Sequence, residues 1–107
     1  MSETIMVQTT FSSENDALEL AKAITKEKLT ACSQIDGPIK SVYWWKDELE
    51  TEDEWRCTFK TSKRVYPRLE NRIKALHPYE TPEIIIVPIT GGSEDYLNWV
   101  EEEVAKD

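Results

Sequence analysis

The order of strand and helix patterns along the chain constrains the fold more than any other feature. A β-prone run comes first, followed by an amphipathic helix, two strands, a second amphipathic helix, a fourth strand and a last helix. Two βαβ units split in this way form one antiparallel sheet, and right-handed crossovers place the first two helices on the same face. We therefore predict an α+β, ferredoxin-like βαββαβ sandwich with an extra C-terminal helix. The predicted elements are strand 1 at 5–9, helix 1 at 14–28, strand 2 at 29–45, strand 3 at 55–60, helix 2 from Lys63, Arg64 or Pro67 to His77, strand 4 at 83–89, and helix 3 with Tyr96, Leu97, Val100 and Val104 on one face.

The length of the chain limits it to one hydrophobic core. A chain of 107 residues buries somewhat more than about 60% of its unfolded surface, which suffices for one core but not for two. We therefore predict a single domain over residues 1–107.

Strands 2 and 3 are predicted to form a long hairpin. Gly37-Pro38 interrupts strand 2 and favours a bend or bulge, because proline cannot donate a hydrogen bond to a neighbouring strand. The acidic stretch 47–54 is predicted to be the turn between the two strands. Its six carboxylates lack the central glycine and the spacing of a calcium loop, so we interpret the stretch as a solvated hairpin tip.

The fourth strand contains the run Ile84-Ile85-Ile86-Val87, which shows no alternation of apolar and polar residues. Such a run is typical of a strand that is covered on both faces. The chain has no spare layer for the second face of the sheet, and the long hairpin offers strand edges that favour pairing. We therefore predict an obligate oligomer.

Charge and cysteine content exclude several classes of protein. Twenty-one acidic and 13 basic residues give a formal net charge of −8, which repels phosphate backbones and anionic lipid heads. Nucleic acid and membrane partners are therefore not expected. The two cysteines are too few for a disulfide framework, and the N-terminus lacks an export pattern, so we expect a cytoplasmic protein.

His77 is the only histidine, and it lies in the loop 77–82 between helix 2 and strand 4. Two interpretations of it remain open. His77 can cap the C-terminal end of helix 2, where the helix dipole favours an imidazolium, or it can be a metal ligand. A transition-metal site takes three or four ligands, and only Cys32, Cys57 and carboxylates such as Glu80 are available to join it.

A nucleophilic pair of Cys32 and His77 is the enzymatic alternative. We rank it last, because Cys32 lies in the apolar start of predicted strand 2 and no orienting residue or oxyanion loop is recognisable. Cys57 alternates with Trp55 and Phe59 on one strand face, so we interpret it as a core residue. No glycine-rich phosphate loop is present. We therefore predict a protein that is not an enzyme and that has no organic cofactor.

Several ordered motifs stand along the chain: Leu29-Thr30-Ala31-Cys32, Ser41-Val42-Tyr43-Trp44-Trp45, Lys60-Thr61, His77-Pro78-Tyr79-Glu80 with Pro82-Glu83-Ile84-Ile85, and Tyr96-Leu97 with Trp99. Together they resemble the motifs of the CutA family of divalent-cation tolerance proteins, and the resemblance covers essentially the whole chain. Lys46 stands where a glycine usually follows the tryptophan, and Ser33-Gln34 replaces the common valine-asparagine. These departures affect the hairpin turn and the lining of a cleft rather than the fold.

The resemblance implies a homotrimer similar to the PII signal-transduction proteins, with a link to copper and other divalent metals. We expect a metal ion to bind through His77, with Cys32 or Glu80 as further ligands. The alternative is a PII-like signalling adaptor that binds a small anionic ligand in the cleft between subunits. The family's polar cleft residues carry over to Cys32, Trp45, Lys60, His77, Tyr79 and Glu80, of which Lys60 would supply the charge and Trp45 or Tyr79 the stacking face for the anion.

Overall fold

The computed structural model describes residues 3–106. Four strands and three α-helices follow one another in the predicted order, with a 3-10 turn before the second helix. Their bounds are β1 Thr4–Phe11, α1 Glu14–Lys26, β2 Cys32–Trp45, β3 Glu48–Ser62, the 3-10 turn Lys63–Val65, α2 Tyr66–Leu76, β4 Ile85–Pro88 and α3 Glu94–Glu103.

The strands form one antiparallel sheet in the order β2-β3-β1-β4. Helices α1 and α2 pack on the same face, which we call the helix face, and the opposite one is the open face. The α+β sandwich predicted from the sequence is therefore confirmed. The core between sheet and helices contains Ile5, Val7, Phe11, Cys57 and Phe59 from the strands, with Ala17, Leu20, Ala21, Ile24, Leu69 and Ile73 from the helices.

Local chemistry explains where the helices begin and end. The Ser13 hydroxyl accepts the amide of Asp16 and caps α1, whereas Lys28 adopts a φ of 60° that ends the helix earlier than predicted. Pro67 lies in the first turn of α2, where its missing amide hydrogen costs no helical bond. Ser93 caps α3 in the same way as Ser13 caps α1.

The predicted turn at 47–54 is wrong. The β2–β3 hairpin closes at Lys46 and Asp47, whose positive φ values of 49° and 65° are those of a two-residue turn that matches the strand twist. The acidic residues lie within β3 instead. Lys40 pairs with Asp53, and the Tyr43 hydroxyl donates to Glu52, so these cross-strand partners outweigh the low strand propensity of the carboxylates.

The bend predicted in β2 is confirmed. The strand register shifts between Asp36 and Ile39, so that Gly37 and Pro38 form a bulge, with a cis peptide bond between them. Gly37 has a φ of 155°, and a Cβ at this position would lie 2.6 Å from Cδ1 of Trp55. We call the part of the hairpin beyond this bulge, residues 39–54, the hairpin arm.

The register of β4 shows which of its side chains face away from the helices. Ile86 pairs with the core residue Val7, so Ile86 lies on the helix face. Ile85 pairs with Gln8 and therefore lies on the open face, where 46% of it is exposed. Helix α3 reaches one end of this face, where Glu101 accepts a hydrogen bond from Thr4. Ile85 itself remains half exposed on this face, and the predicted oligomer stays a prediction.

No helix between residues 3 and 106 is long and apolar enough to cross a membrane.

Candidate functional site

His77 lies at the C-terminal end of α2 with only 8% of its surface exposed. Its ring stacks on Phe11, with centroids 4.3 Å apart and planes 9° from parallel. Nε2 donates to the carbonyl oxygen of Thr10 over 2.8 Å, and Nδ1 accepts the backbone amide of Tyr79 over 3.1 Å. Both ring nitrogens are therefore engaged, and the pattern defines the neutral tautomer with its proton on Nε2.

The surroundings of His77 favour this neutral form. Burial holds the pKa of His77 below its usual value, and the bond to Thr10 and the charges of Glu54 and Asp16 only partly oppose that effect. A metal ion needs a free lone pair on an imidazole nitrogen. His77 offers one only after it gives up its bond to Tyr79 or to Thr10.

Tyr79 and Glu54 form the second part of the site. The Tyr79 hydroxyl donates to Oε2 of Glu54 over 2.7 Å, and the Glu54 residue is only 7% exposed. Burial, with a further contribution from Glu54, raises the pKa of Tyr79, so its hydroxyl remains a donor. A second tyrosine–glutamate pair lies beside it: the Tyr43 hydroxyl donates to Glu52, which is two residues from Glu54 on β3. This bond raises the pKa of Tyr43 to about 12.

Lys60 lies on the open face at the other end of β3. Its Nζ donates to Oε1 of Gln34 over 2.6 Å and lies 5.9 Å from the ring centre of Tyr96 in α3. Cys32 is the cross-strand neighbour of Lys60 and is partly exposed. Lys60 is thus held between an amide and an aromatic face, with a thiol beside it.

Trp45 and Glu80 lie near the end of the hairpin arm. Nζ of Lys46 is 5.5 Å from the ring centre of Trp45 and 3.8 Å from Oε2 of Glu80. The loop that follows α2 therefore lies close to the hairpin turn. The side chains of both charged partners are largely exposed, so their ion pair contributes little to stability.

The structure does not bring the predicted metal ligands together within one chain. Cys32 aligns with Lys60 and Met6, whereas His77 binds the carbonyl of Thr10, four residues further along β1. At about 3.3 Å per residue, that offset alone is about 13 Å, far beyond a shared coordination sphere. Among residues 3–106, no group of three histidine, cysteine, aspartate or glutamate side chains is placed to hold a metal ion.

The residues expected to hold an anion are also apart. Tyr79 binds Glu54, and Lys60 lies six residues further along β3, a separation of about 20 Å. Trp45 lies in the opposite direction, beside the hairpin turn. A single chain therefore does not present Lys60, Tyr79 and Trp45 to one small ligand.

A nucleophilic Cys32–His77 pair needs a hydrogen bond between the thiol and the imidazole, and these two side chains make none. Cys57 is fully buried, as the alternating pattern predicts, and burial raises the pKa of its thiol to about 12. Neither cysteine has a histidine beside it to act as a base.

The sequence matches the CutA1 divalent ion tolerance protein family over residues 5–103. The chain belongs to that family. A divalent-cation tolerance protein CutA from Thermus thermophilus is 39% identical over 102 residues, which are 95% of this chain and 97% of the relative.

Solved structures agree with the family assignment. CutA1 from Oryza sativa superposes with a TM-score of 0.94 at 35% identity, covering 98% of this chain and 96% of that one. The structure described as the periplasmic divalent cation tolerance protein CutA from Archaeoglobus fulgidus gives a TM-score of 0.91 at 33% identity, covering 95% and 99%. The resemblance inferred from the motifs is thereby confirmed.

Proposed function

We propose that this CutA family member is a homotrimer that binds divalent cations, copper in particular, in response to metal stress, and that it has no catalytic activity. The proposal rests on the family, whose described role is divalent ion tolerance. We place the protein in the cytoplasm, a location that its two free cysteines support.

The open face of the sheet is the observation that carries this proposal. Ile85 and Val87 lie on it beside Met6, without cover from α1 or α2. On the hairpin arm, Trp44 pairs with Leu49, and both are more than half exposed. A threefold assembly that covers these surfaces would remove apolar area from water and pair the free strand edges.

Assembly would also supply what one chain lacks for metal binding. Cys32 and Glu80 are accessible, but they lie at different ends of the sheet. Ligands from more than one subunit can therefore meet where ligands of one chain cannot. Cys32 and Glu80 are the principal ligands in this proposal, and His77 joins them only if a ring nitrogen releases its present partner. Thiolate and imidazole suit copper better than oxygen ligands do.

A copper titration under chelator-buffered conditions tests the proposal, with sedimentation to establish the oligomeric state. Loss of one ligand is expected to weaken Cu²⁺ binding at least about tenfold in both Cys32→Ser and Glu80→Gln. Glu102→Gln is the control, because Glu102 is an exposed carboxylate on α3. Unchanged binding in Cys32→Ser and Glu80→Gln, or an equal loss in the control, would contradict these ligands. A protein that stays monomeric would contradict the shared site.

A further inference from the structure

A groove of about 380 Å³ lies between the C-terminal end of α1 and the outer side of α2. Its size falls in the range of small-molecule sites. The groove belongs to the helical layer, so an assembly through the open face of the sheet would leave it accessible. It is lined by Glu27, Leu29, Arg68, Asn71, Arg72 and Ala75.

The spacing of the α2 residues explains the shape of this groove. Residues 68, 71, 72 and 75 fall at i, i+3, i+4 and i+7, which is one face of a helix. The small Ala75 leaves space at one end, and the buried Leu29 contributes an apolar wall. Two guanidinium groups and one amide therefore line a partly apolar groove.

Charge distinguishes the segment that contains α2 from the rest of the chain. The segment 63–76 carries five cations and one carboxylate in a chain whose net charge is −8. Arg56, Arg64 and Arg72 each lie against a carboxylate. Among the residues that the structure describes, Arg68 has no ion-pair or hydrogen-bond partner.

The contact between Arg72 and Glu27 indicates where an oxyanion can sit. Nε of Arg72 lies 2.9 and 3.0 Å from the two carboxylate oxygens of Glu27. This carboxylate is partly exposed, and Glu27 is the C-cap residue of α1. An external anion that reached both arginines would compete with Glu27 for Arg72.

We propose that this groove binds a small organic phosphate. The phosphate oxygens would bridge the guanidinium groups of Arg68 and Arg72, with the Asn71 amide as a further donor, because planar arginine forks suit phosphate geometry. The organic part of the ligand would lie on Leu29 and Ala75. A phosphate offers three oxygens to two arginines, whereas a carboxylate fills one fork, so the phosphate binds more tightly than a carboxylate of the same body.

Phenyl phosphate and benzoate are suitable probes, since they share a ring and differ in the anionic group. Both are titrated at low salt into the wild-type protein and three variants, with binding measured by NMR shifts of α2 amides. One charged hydrogen bond corresponds to about tenfold in affinity, so phenyl phosphate should bind about tenfold more weakly to Arg68→Gln. Glu27→Gln should bind it more tightly, because the competing carboxylate is gone. Lys74→Gln is the matched control, since it removes a cation of α2 that pairs with Glu70 outside the groove.

Four outcomes would overturn the proposal. No binding of phenyl phosphate to the wild type at about 10 mM would remove the site. Equal binding of phenyl phosphate by Arg68→Gln and wild type would show that Arg68 does not contact the phosphate. An equal loss in Lys74→Gln would reduce the effect to net charge, and tighter binding of benzoate would replace the phosphate by a carboxylate. Circular dichroism of each variant checks that the helices are intact.

Discussion

Replacing Ile85 by aspartate tests the proposed assembly at a position whose side chain the strand register places on the open face. Ile85 is 46% exposed and points to the open face, opposite Gln8. Leu18 on α1 provides a matched control, because it is 41% exposed and lies in the helical layer. Both substitutions replace a half-exposed apolar side chain with a carboxylate, and only the first falls on the surface that we expect to be buried between subunits.

The expected magnitude follows from the exposed area and from the charge. Burying a whole isoleucine side chain contributes about 1.5–3 kcal/mol, so covering the exposed part of Ile85 contributes about 1 kcal/mol in each subunit. An unpaired carboxylate in the same contact costs several kcal/mol per ion. Three copies bring the total to the order of 10 kcal/mol, and every 1.4 kcal/mol or so is a factor of ten in the association constant.

Sedimentation velocity and circular dichroism measure the outcome. We expect Ile85→Asp to lose the trimer and the folded signal together, and Leu18→Asp to retain both. A native-like monomer from Ile85→Asp would show that the open face needs no partner for folding. Such a monomer would contradict the coupling of folding to assembly. An unaffected trimer would show that the assembly uses another surface, and it would refute the reasoning from the register of β4.

Three further changes probe the interior. Thr9→Val should raise the free energy of unfolding by about 1 kcal/mol in urea titrations, because the buried Thr9 hydroxyl has no hydrogen-bond partner among residues 3–106, and a lower value would contradict this. Burial lowers the pKa of His77 in the folded state, so the His77 ring takes up a second proton less readily in the native protein than in the unfolded chain. Stability should therefore fall as the pH drops below about 6.5, and His77→Gln should flatten that part of the curve; an unchanged slope would contradict the assignment. Gly37→Ala should lower the free energy of unfolding by about 1–3 kcal/mol, because the new Cβ would overpack against Trp55. Gly91→Ala, with no atom within 4 Å of its new Cβ, should leave that free energy unchanged in urea titrations, and equal values for the two variants would contradict the contact.

The fold could be predicted because its main signals are periodic and local. The apolar stripes of α1 and α2 and the caps at Ser13 and Ser93 define the helices, and the order of elements limits how a sheet can connect them. The apolar run Ile84–Val87 predicted the environment of its residues less well than its uniform composition suggests. Ile84 packs against the core, and Ile85 and Ile86 lie on opposite faces at the edge of the sheet.

The hairpin arm could not be predicted because two signals compete there. Six carboxylates within 47–54 favour a turn by composition, yet four of them, Glu48, Glu50, Glu52 and Glu54, occupy alternate positions of β3 and so lie on one face. Alternation is the strand signal, and Lys40 and Tyr43 on β2 are the partners that make it fold as a strand. Glu54 was missed as a site residue for the same reason. It is buried, and it accepts the hydroxyl of Tyr79, which is 25 residues away in the sequence.

The environment of His77 shows why a motif can identify a family without revealing a ligand. His-Pro-Tyr-Glu contains groups that coordinate metals, and the sequence alone cannot distinguish a free imidazole from an engaged one. Here the imidazole joins the end of β1, through the Thr10 carbonyl, to the backbone of Tyr79. Tyr79 in turn holds Glu54 of the hairpin arm. The histidine therefore positions the loop that carries Glu80, and a substitution of His77 would alter the proposed metal site through this loop, without any contact between a metal ion and the ring. For this reason copper titrations of Glu80→Gln and Cys32→Ser bear more directly on the ligand set than those of any His77 variant.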